Sequence, residues 1–293
     1  MKRIVTLFLC LCLVFGYSVQ TVHAEEDTQT EIKFKKLKKP PMKYTLTKGT
    51  KTKKVSPLTL TLKSKKANKI TDDEEWFSKN DLELPVFVIP GEFNNYSSNL
   101  PYYIDWYCGD LYITNAFEDA SYIYCVYGGN YAEGYKLYIY SKKNGEIVYK
   151  LDFSNYRYSS KYVKEDYDYV QQEIKWAKIV GNVLYVSNSH DTYAKSSYNM
   201  NAYITAIDLS TYKILWRSSP LVANCTNFEI IGNVIICGYG FTDEKDYLYQ
   251  LNRTNGKVIS KIALKTAPEY IIKKGSKLYV RTYNTDYVFK IGK

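Results

Sequence analysis

A short alternation of apolar and polar positions recurs along this chain. An apolar run, a Gly-polar pair and a second apolar run appear in IDWYCGDLYITN, AKIVGNVLYVSN, FEIIGNVIICGY and YIIKKGSKLYVRT. Gly109, Gly181, Gly232 and Gly275 each precede Asp, Asn or Ser. That order suits a two-residue type II′ turn, so each run pair predicts a β-hairpin. A second hairpin follows each of the first three, turning at Asn144-Gly145, Ser210-Thr211 and Asn255-Gly256. Two hairpins give four antiparallel strands, the blade of a β-propeller. The turn glycines stand 72, 51 and 43 residues apart. The shortest spacing fits a blade of roughly 40 to 50 residues, and the longer ones hold insertions. The fourth unit stops after its third strand, Asp286 to Ile291, and needs an outer strand from the N-terminal side. Leu84 to Ile89 (LPVFVI) is the candidate, with Pro85 tolerable on an edge. The expected fold is therefore all-β: a propeller of four-stranded antiparallel blades in a small ring closed by an N-terminal strand. The ring has about four blades, or five if residues 56 to 83 hold a degenerate one. A β-sandwich is the alternative that the same strand density can build.

Unit two reads YITAIDLSTYKILW from Tyr203 to Trp216. This resembles the Y-x-x-A-x-D-x-x-T-G-x-x-x-W repeat of the quinoprotein-alcohol-dehydrogenase-like, or PQQ-like, β-propellers. Unit one has Tyr149 near the Trp position, and unit three keeps Thr254-Asn255-Gly256 without the Trp. The resemblance spans about residues 102 to 291. It implies a fold and leaves activity open, because that superfamily holds enzymes and non-enzymatic scaffolds alike. A set of quinone contacts is not found, and no cofactor is expected.

The ends of the chain differ from its body. Lys2 and Arg3, an apolar run from Ile4 to Tyr17 and Val22-His23-Ala24 read as a signal peptide cleaved near Ala24. A retained membrane anchor is the alternative, although the run is short for a span. Export makes disulfides among Cys108, Cys125, Cys225 and Cys237 feasible. A turn at Gly232-Asn233 would place Cys237 opposite Phe228, so Cys225 and Cys237 would lie on opposite faces and stay unbonded. The net charge of +10 is uneven: residues 25 to 70 hold 14 lysines against four acids, and the remainder after residue 70 is slightly acidic. Three parts follow: 1–24 signal, 25–82 a basic and largely flexible leader, 83–293 the propeller. Lys33, Lys35, Lys36, Lys38, Lys39, Lys51, Lys53 and Lys54 are candidate contacts to an anionic cell-envelope polymer or membrane surface. Nucleic acid is not expected, because the chain reads as exported and the basic stretch offers almost no stacking aromatics.

Blade geometry puts the middle and blade-to-blade connections on one face. The long ones, 116–134, 154–172 and 189–201, hold 11 tyrosines. Insertions on one face of a repeat fold often mark the binding surface, and tyrosine suits protein or glycan recognition. The candidate face is Tyr124, Tyr131, Tyr156, Tyr158, Tyr162, Tyr167, Tyr169, Tyr193 and Tyr198. No catalytic or metal-binding residue is singled out, since one mature histidine, His190, and no close cysteine pair offer little to zinc. The leading expectation is a secreted or envelope-associated, non-catalytic scaffold for a protein or glycan partner. One alternative is a glycan-active enzyme using Glu165, Asp166, Asp168 or Asp191. Another is a structural envelope component without a specific ligand.

Overall fold

In a computed structural model, the described residues are 29–35, 54–70, 72–83, 86–87, 99–130 and 132–292. The signal segment, Tyr131, Leu84, Pro85, Lys36, Lys38, Lys39, Lys51 and Lys53 lie outside them. Strand β1 is Ile32–Lys33, β2 is Thr59–Ala67, and helix α1 is Asp73–Lys79. Sheet one holds β3 (Tyr107–Cys108), β4 (Leu111–Glu118), β5 (Tyr122–Gly128), β6 (Lys136–Ser141) and β7 (Ile147–Asp152), with β1 alongside β7. Sheet two is β8 (Glu173–Val180), β9 (Val183–Ser189), β10 (Tyr203–Asp208) and β11 (Lys213–Arg217). Sheet three is β12 (Glu229–Ile231), β13 (Val234–Tyr239), β14 (Tyr247–Asn252) and β15 (Val258–Ala263). Sheet four is β16 (Pro268–Lys274), β17 (Lys277–Thr282), β18 (Thr285–Gly292) and, outermost, β2. Apart from the parallel β1–β7 pair, every pairing between these strands is antiparallel. The arrangement is all-β and propeller-like.

The four Gly-polar turns form as expected. Gly109, Gly181, Gly232 and Gly275 have φ between +57° and +62°, and pairs such as Val180↔Val183 leave two-residue loops. A further repeat was not visible beforehand. In each sheet one strand (β6, β10, β14 or β18) slips its register against its outward neighbour (β7, β11, β15 or β2) between its fourth and fifth residues. The slips fall at Ile139/Tyr140, Ala206/Ile207, Gln250/Leu251 and Val288/Phe289. Such bulges increase the local twist, here at the same place in each sheet.

Three expectations are corrected. The outer strand of sheet four is Thr59–Ala67, not Leu84 to Ile89. It makes eight Cα pairs with β18, from Thr285↔Ala67 to Gly292↔Thr59. LPVFVI is too short for that partner, and its Val86 makes one isolated bridge to Phe117. Second, the leader is not flexible throughout. Beyond β2 and α1, β1 pairs with the open edge of β7, Phe34 packs on Phe153 at 4.7 Å, and Glu31 pairs with Lys136 at 2.9 Å. The exposed Lys63, Lys65 and Lys66 lie on edge strand β2, where charge deters edge-to-edge association. Third, 116–134 is not a long connection, because Tyr122–Gly128 is strand β5. Asp119 makes the tight β4–β5 turn by accepting from the Ser121 and Tyr122 N–H groups at 2.8 and 3.0 Å. The hairpin at Gly109 survives only as the two-pair β3–β4 ladder.

One apolar core joins sheets one, two and three, through Leu137, Ile139, Val186, Ile204, Ala206, Ile235 and Leu251. A second joins sheets three and four through Ile236, Leu248, Ile271, Leu278 and Val280. Each Leu, Ile or Val of these, once buried, stabilises by about 1.5–3 kcal/mol. The remaining face of sheet four is covered by α1, whose Trp76 and Phe77 are buried against Tyr270. Asp72 caps that helix by accepting from the Glu75 N–H at 2.8 Å. The remaining face of sheet one is covered by the segment around Leu100, Tyr103 and Ile104. All four described cysteines are free thiols. Cys237 lies with Phe228 in the first core and Cys225 in the second, on opposite faces of sheet three as the turn register implies.

Candidate binding face

Three connections lace together. Residues 153–172 link sheets one and two through two 3-10 turns, Ser154–Tyr156 and Lys164–Tyr169. Residues 190–202 join β9 to β10, and 240–246 join β13 to β14. The Val163 N–H donates to the Ser196 carbonyl at 2.8 Å, tying the first to the second. The Ala194 N–H donates to Glu244 Oε1 at 2.7 Å, tying the second to the third.

The second loop is held by a buried polar knot. Asn201 Oδ1 accepts from the His190 and Ala202 N–H groups and from Gln172 Nε2. His190 is 1% exposed. Its Nδ1 accepts from the Thr192 N–H at 3.3 Å, and Nε2 lies 2.7 Å from Ser197 Oγ. Nδ1 faces donors, so the neutral ring with its proton on Nε2 fits and the imidazolium does not. Burial pushes the His190 pKa down from 6.5 to about 4. The unfolded chain takes up this proton near pH 6.5 and the folded one only near pH 4. The stability is complete above 6.5 and is lost as pH falls between those values, about 3 kcal/mol in all. We expect urea unfolding of the wild type to weaken by about that much from pH 7 to pH 4, beyond the change seen in a His190→Gln variant.

The tyrosines separate into three groups. Tyr124 does not reach this face. It is 1% exposed in β5, stacked on Phe117, and its hydroxyl donates to Asp119 at 2.7 Å. Tyr156 is buried too, its hydroxyl donating to the Lys35 carbonyl at 2.8 Å. Strand β5 is buried along nearly its whole length, which puts Tyr124 in the core, and β1 and Phe34 cover Tyr156. Tyr158, Tyr162 and Tyr167 form a cluster, with Tyr158 and Tyr167 stacked at 4.8 Å. Tyr167, Tyr169 and Tyr198 are 46%, 67% and 60% exposed. Tyr193 meets Phe241 edge-on at 5.1 Å. It opens a cleft of about 520 Å³ whose wall also holds Tyr239, Tyr247, Tyr249, Asp243 and Glu244. The three extra tyrosines escape a search for long loops, because 240–246 is short. Their signal is the aromatic density flanking it, YGF and YLY.

Some charges near this face are paired. Glu165, Asp166 and Asp168 lie on the second 3-10 turn. Asp191 holds Lys175 at 2.5 Å, and Glu173 binds the same ammonium. Burial pushes the Glu173 carboxyl up to about 7. Arg157 pairs with the buried Glu133. Of the leader lysines, Lys33, Lys35 and Lys54 are exposed, and Lys33 lies 3.5 Å from Asp152. Among the described residues no group of three His, Cys, Asp or Glu could hold a metal.

A second cavity, about 650 Å³, lies where the four sheets meet. Its wall takes Glu118 from sheet one, Trp176 and Lys178 from sheet two, Glu229 from sheet three, and Ile272 and Lys274 from sheet four. The strand of each sheet that carries these residues is β4, β8, β12 and β16 in turn.

No protein-family model and no curated protein matches the chain. Solved structures are similar to it at low identity. The computationally designed Ika4 protein is 10% identical with a TM-score of 0.40, over 66% of this chain and 99% of its own. BamB from Moraxella catarrhalis is 13% identical with a TM-score of 0.33, over 59% of this chain and 56% of its own. Sqt1 from Saccharomyces cerevisiae is 11% identical with a TM-score of 0.38, over 59% of this chain and 42% of its own. The chain spans about half the length of the latter two.

Proposed function

We propose that this is an exported, non-catalytic β-propeller that holds a protein or glycan partner on its tyrosine-rich face. The observation that carries the reading is the lacing of three connections into one surface that exposes Tyr167, Tyr169 and Tyr198 beside the tyrosine-lined cleft. Large, rigid side chains with a hydroxyl give contact area at low entropic cost. The ring has four blades, each beginning with the strand that lines the shared cavity, and β2 completes the fourth. The PQQ-like repeat of unit two is the remnant of that architecture. The signal segment sends the chain across a membrane. The lysines of 33–54 then hold it to an anionic envelope polymer or lipid surface, an attraction that salt screens.

Replacing Tyr167, Tyr169 and Tyr198 together with Ser tests the face. These side chains are exposed, so the melting temperature should move by no more than about 2 °C. Partner retention in the host's envelope fraction should fall at least tenfold at high salt, where the lysine attraction is screened. Unchanged retention at high salt would leave the chain a structural component without this face.

A further inference from the structure

Arg217 closes β11 and is 8% exposed. Its guanidinium carbon lies 3.8 Å from the centre of the Tyr203 ring and 5.3 Å from that of Tyr156. The other deeply buried arginine, Arg281, is 3% exposed and carries two carboxylates, Asp73 and Glu269. Arg217 has no carboxylate within ion-pair reach among the described residues, and the two rings lie against it. Its Nε is buried without a hydrogen-bond partner, as is the Tyr203 hydroxyl on the ring beneath it. A guanidinium taken out of water without a counter-charge is costly, and two aromatic faces return only part of that cost. Two buried donors without a partner, one of them cationic, therefore belong to one stacked pair of side chains. They lie at the end of sheet two that carries the 190–202 connection, where β10 begins at Tyr203 and β11 ends at Arg217, paired with Thr205.

We propose that Arg217, seated between Tyr203 and Tyr156, is an oxyanion-binding site that takes a carboxylate or phosphate group. Arginine presents its donors in a flat fork that matches such groups, and the Tyr203 hydroxyl adds a further donor. The site deepens the proposed face by naming the chemistry of the group that anchors the partner there. It rests on that reading for the partner, though not for the anion itself.

The test is the melting temperature of the full chain titrated with acetate, inorganic phosphate or sodium chloride at constant ionic strength. For the wild type, acetate or phosphate should raise it by several degrees and saturate, and chloride should not. An acetate response above the phosphate one marks a carboxylate source, and the reverse marks a phosphate. Arg217→Met should abolish the response. In the anion-free buffer it should melt at or above the wild type, because an unpaired buried charge has gone. Tyr203→Phe keeps the ring and should weaken the anion's apparent affinity about fivefold to tenfold. A wild type that responds to neither anion up to 100 mM overturns the proposal, as does an Arg217→Met variant that responds like the wild type. If Arg217→Met does not fold, an unchanged affinity in Tyr203→Phe overturns it. A saturable anion response together with an unimpaired Tyr-to-Ser triple variant sinks the partner face and leaves this site standing.

Discussion

A chain that begins at Thr71 is expected to lose its cooperative unfolding transition, whereas one that begins at Lys54 keeps it. The difference is strand β2. Its eight Cα pairs complete sheet four, and just before it Gln250 clasps the Leu58 backbone, accepting from its N–H at 2.7 Å and donating to its carbonyl at 3.0 Å. Val55, Leu58 and Leu60 pack on the core between sheets three and four. A net contribution of about 0.5–1.5 kcal/mol per backbone hydrogen bond makes the strand worth several kcal/mol. That is a large part of the roughly 5–15 kcal/mol that holds a domain together. Starting at Lys54 removes, among the described residues, the two-residue β1 pairing, Phe34, the Glu31–Lys136 ion pair and the Tyr156 bond to the Lys35 carbonyl, so a smaller fall in midpoint is expected. Urea titrations followed by tyrosine and tryptophan fluorescence separate the two outcomes. If both truncations unfold alike, β2 is not the strand on which sheet four depends.

The second large effect lies where one unit meets the next. Trp216 is 1% exposed, and its indole N–H donates to the Arg253 carbonyl at 3.1 Å. Its ring covers Gly256 in the turn of sheet three, whose φ is +68° and where an added Cβ would come within 2.4 Å of the indole. Trp216→Ala should cost about 3–5 kcal/mol, the range for emptying a buried aromatic site. Gly256→Ala should cost about 2–4 kcal/mol, from the left-handed backbone plus the clash. In the Trp216→Ala background the same Gly256→Ala change should cost about 1 kcal/mol, because only the backbone part remains. Additive costs in urea midpoints would mean that the two residues do not touch.

These two regions also mark what was legible in the sequence. The Gly-polar turns fix local pairings two residues apart, so β8 to β17 and the opposite placement of Cys225 and Cys237 could be read directly. Strand β2 could not, because its partner is more than 200 residues away and its lysines read as charge before they read as an edge. Its TLTLKSK alternation was the available signal. The sequence reads Tyr124 onto the binding face for a related reason. Tyrosine serves equally in a core and on a surface, and β5 is buried along nearly its whole length, so no alternation exposes it as a strand. Arg217 carried no signal at all: its lack of a counter-charge is a property of three-dimensional neighbours.

The central claim, a partner on the tyrosine-rich face, is tested most directly by site-specific photo-crosslinking from the full chain in its own host. A photoreactive residue at Tyr169, 67% exposed on the 153–172 link, should give a discrete high-mass adduct, and one at Ser276, in a short Gly turn, should give none. Adducts of equal yield from both positions, or from Ser276 alone, would contradict the account.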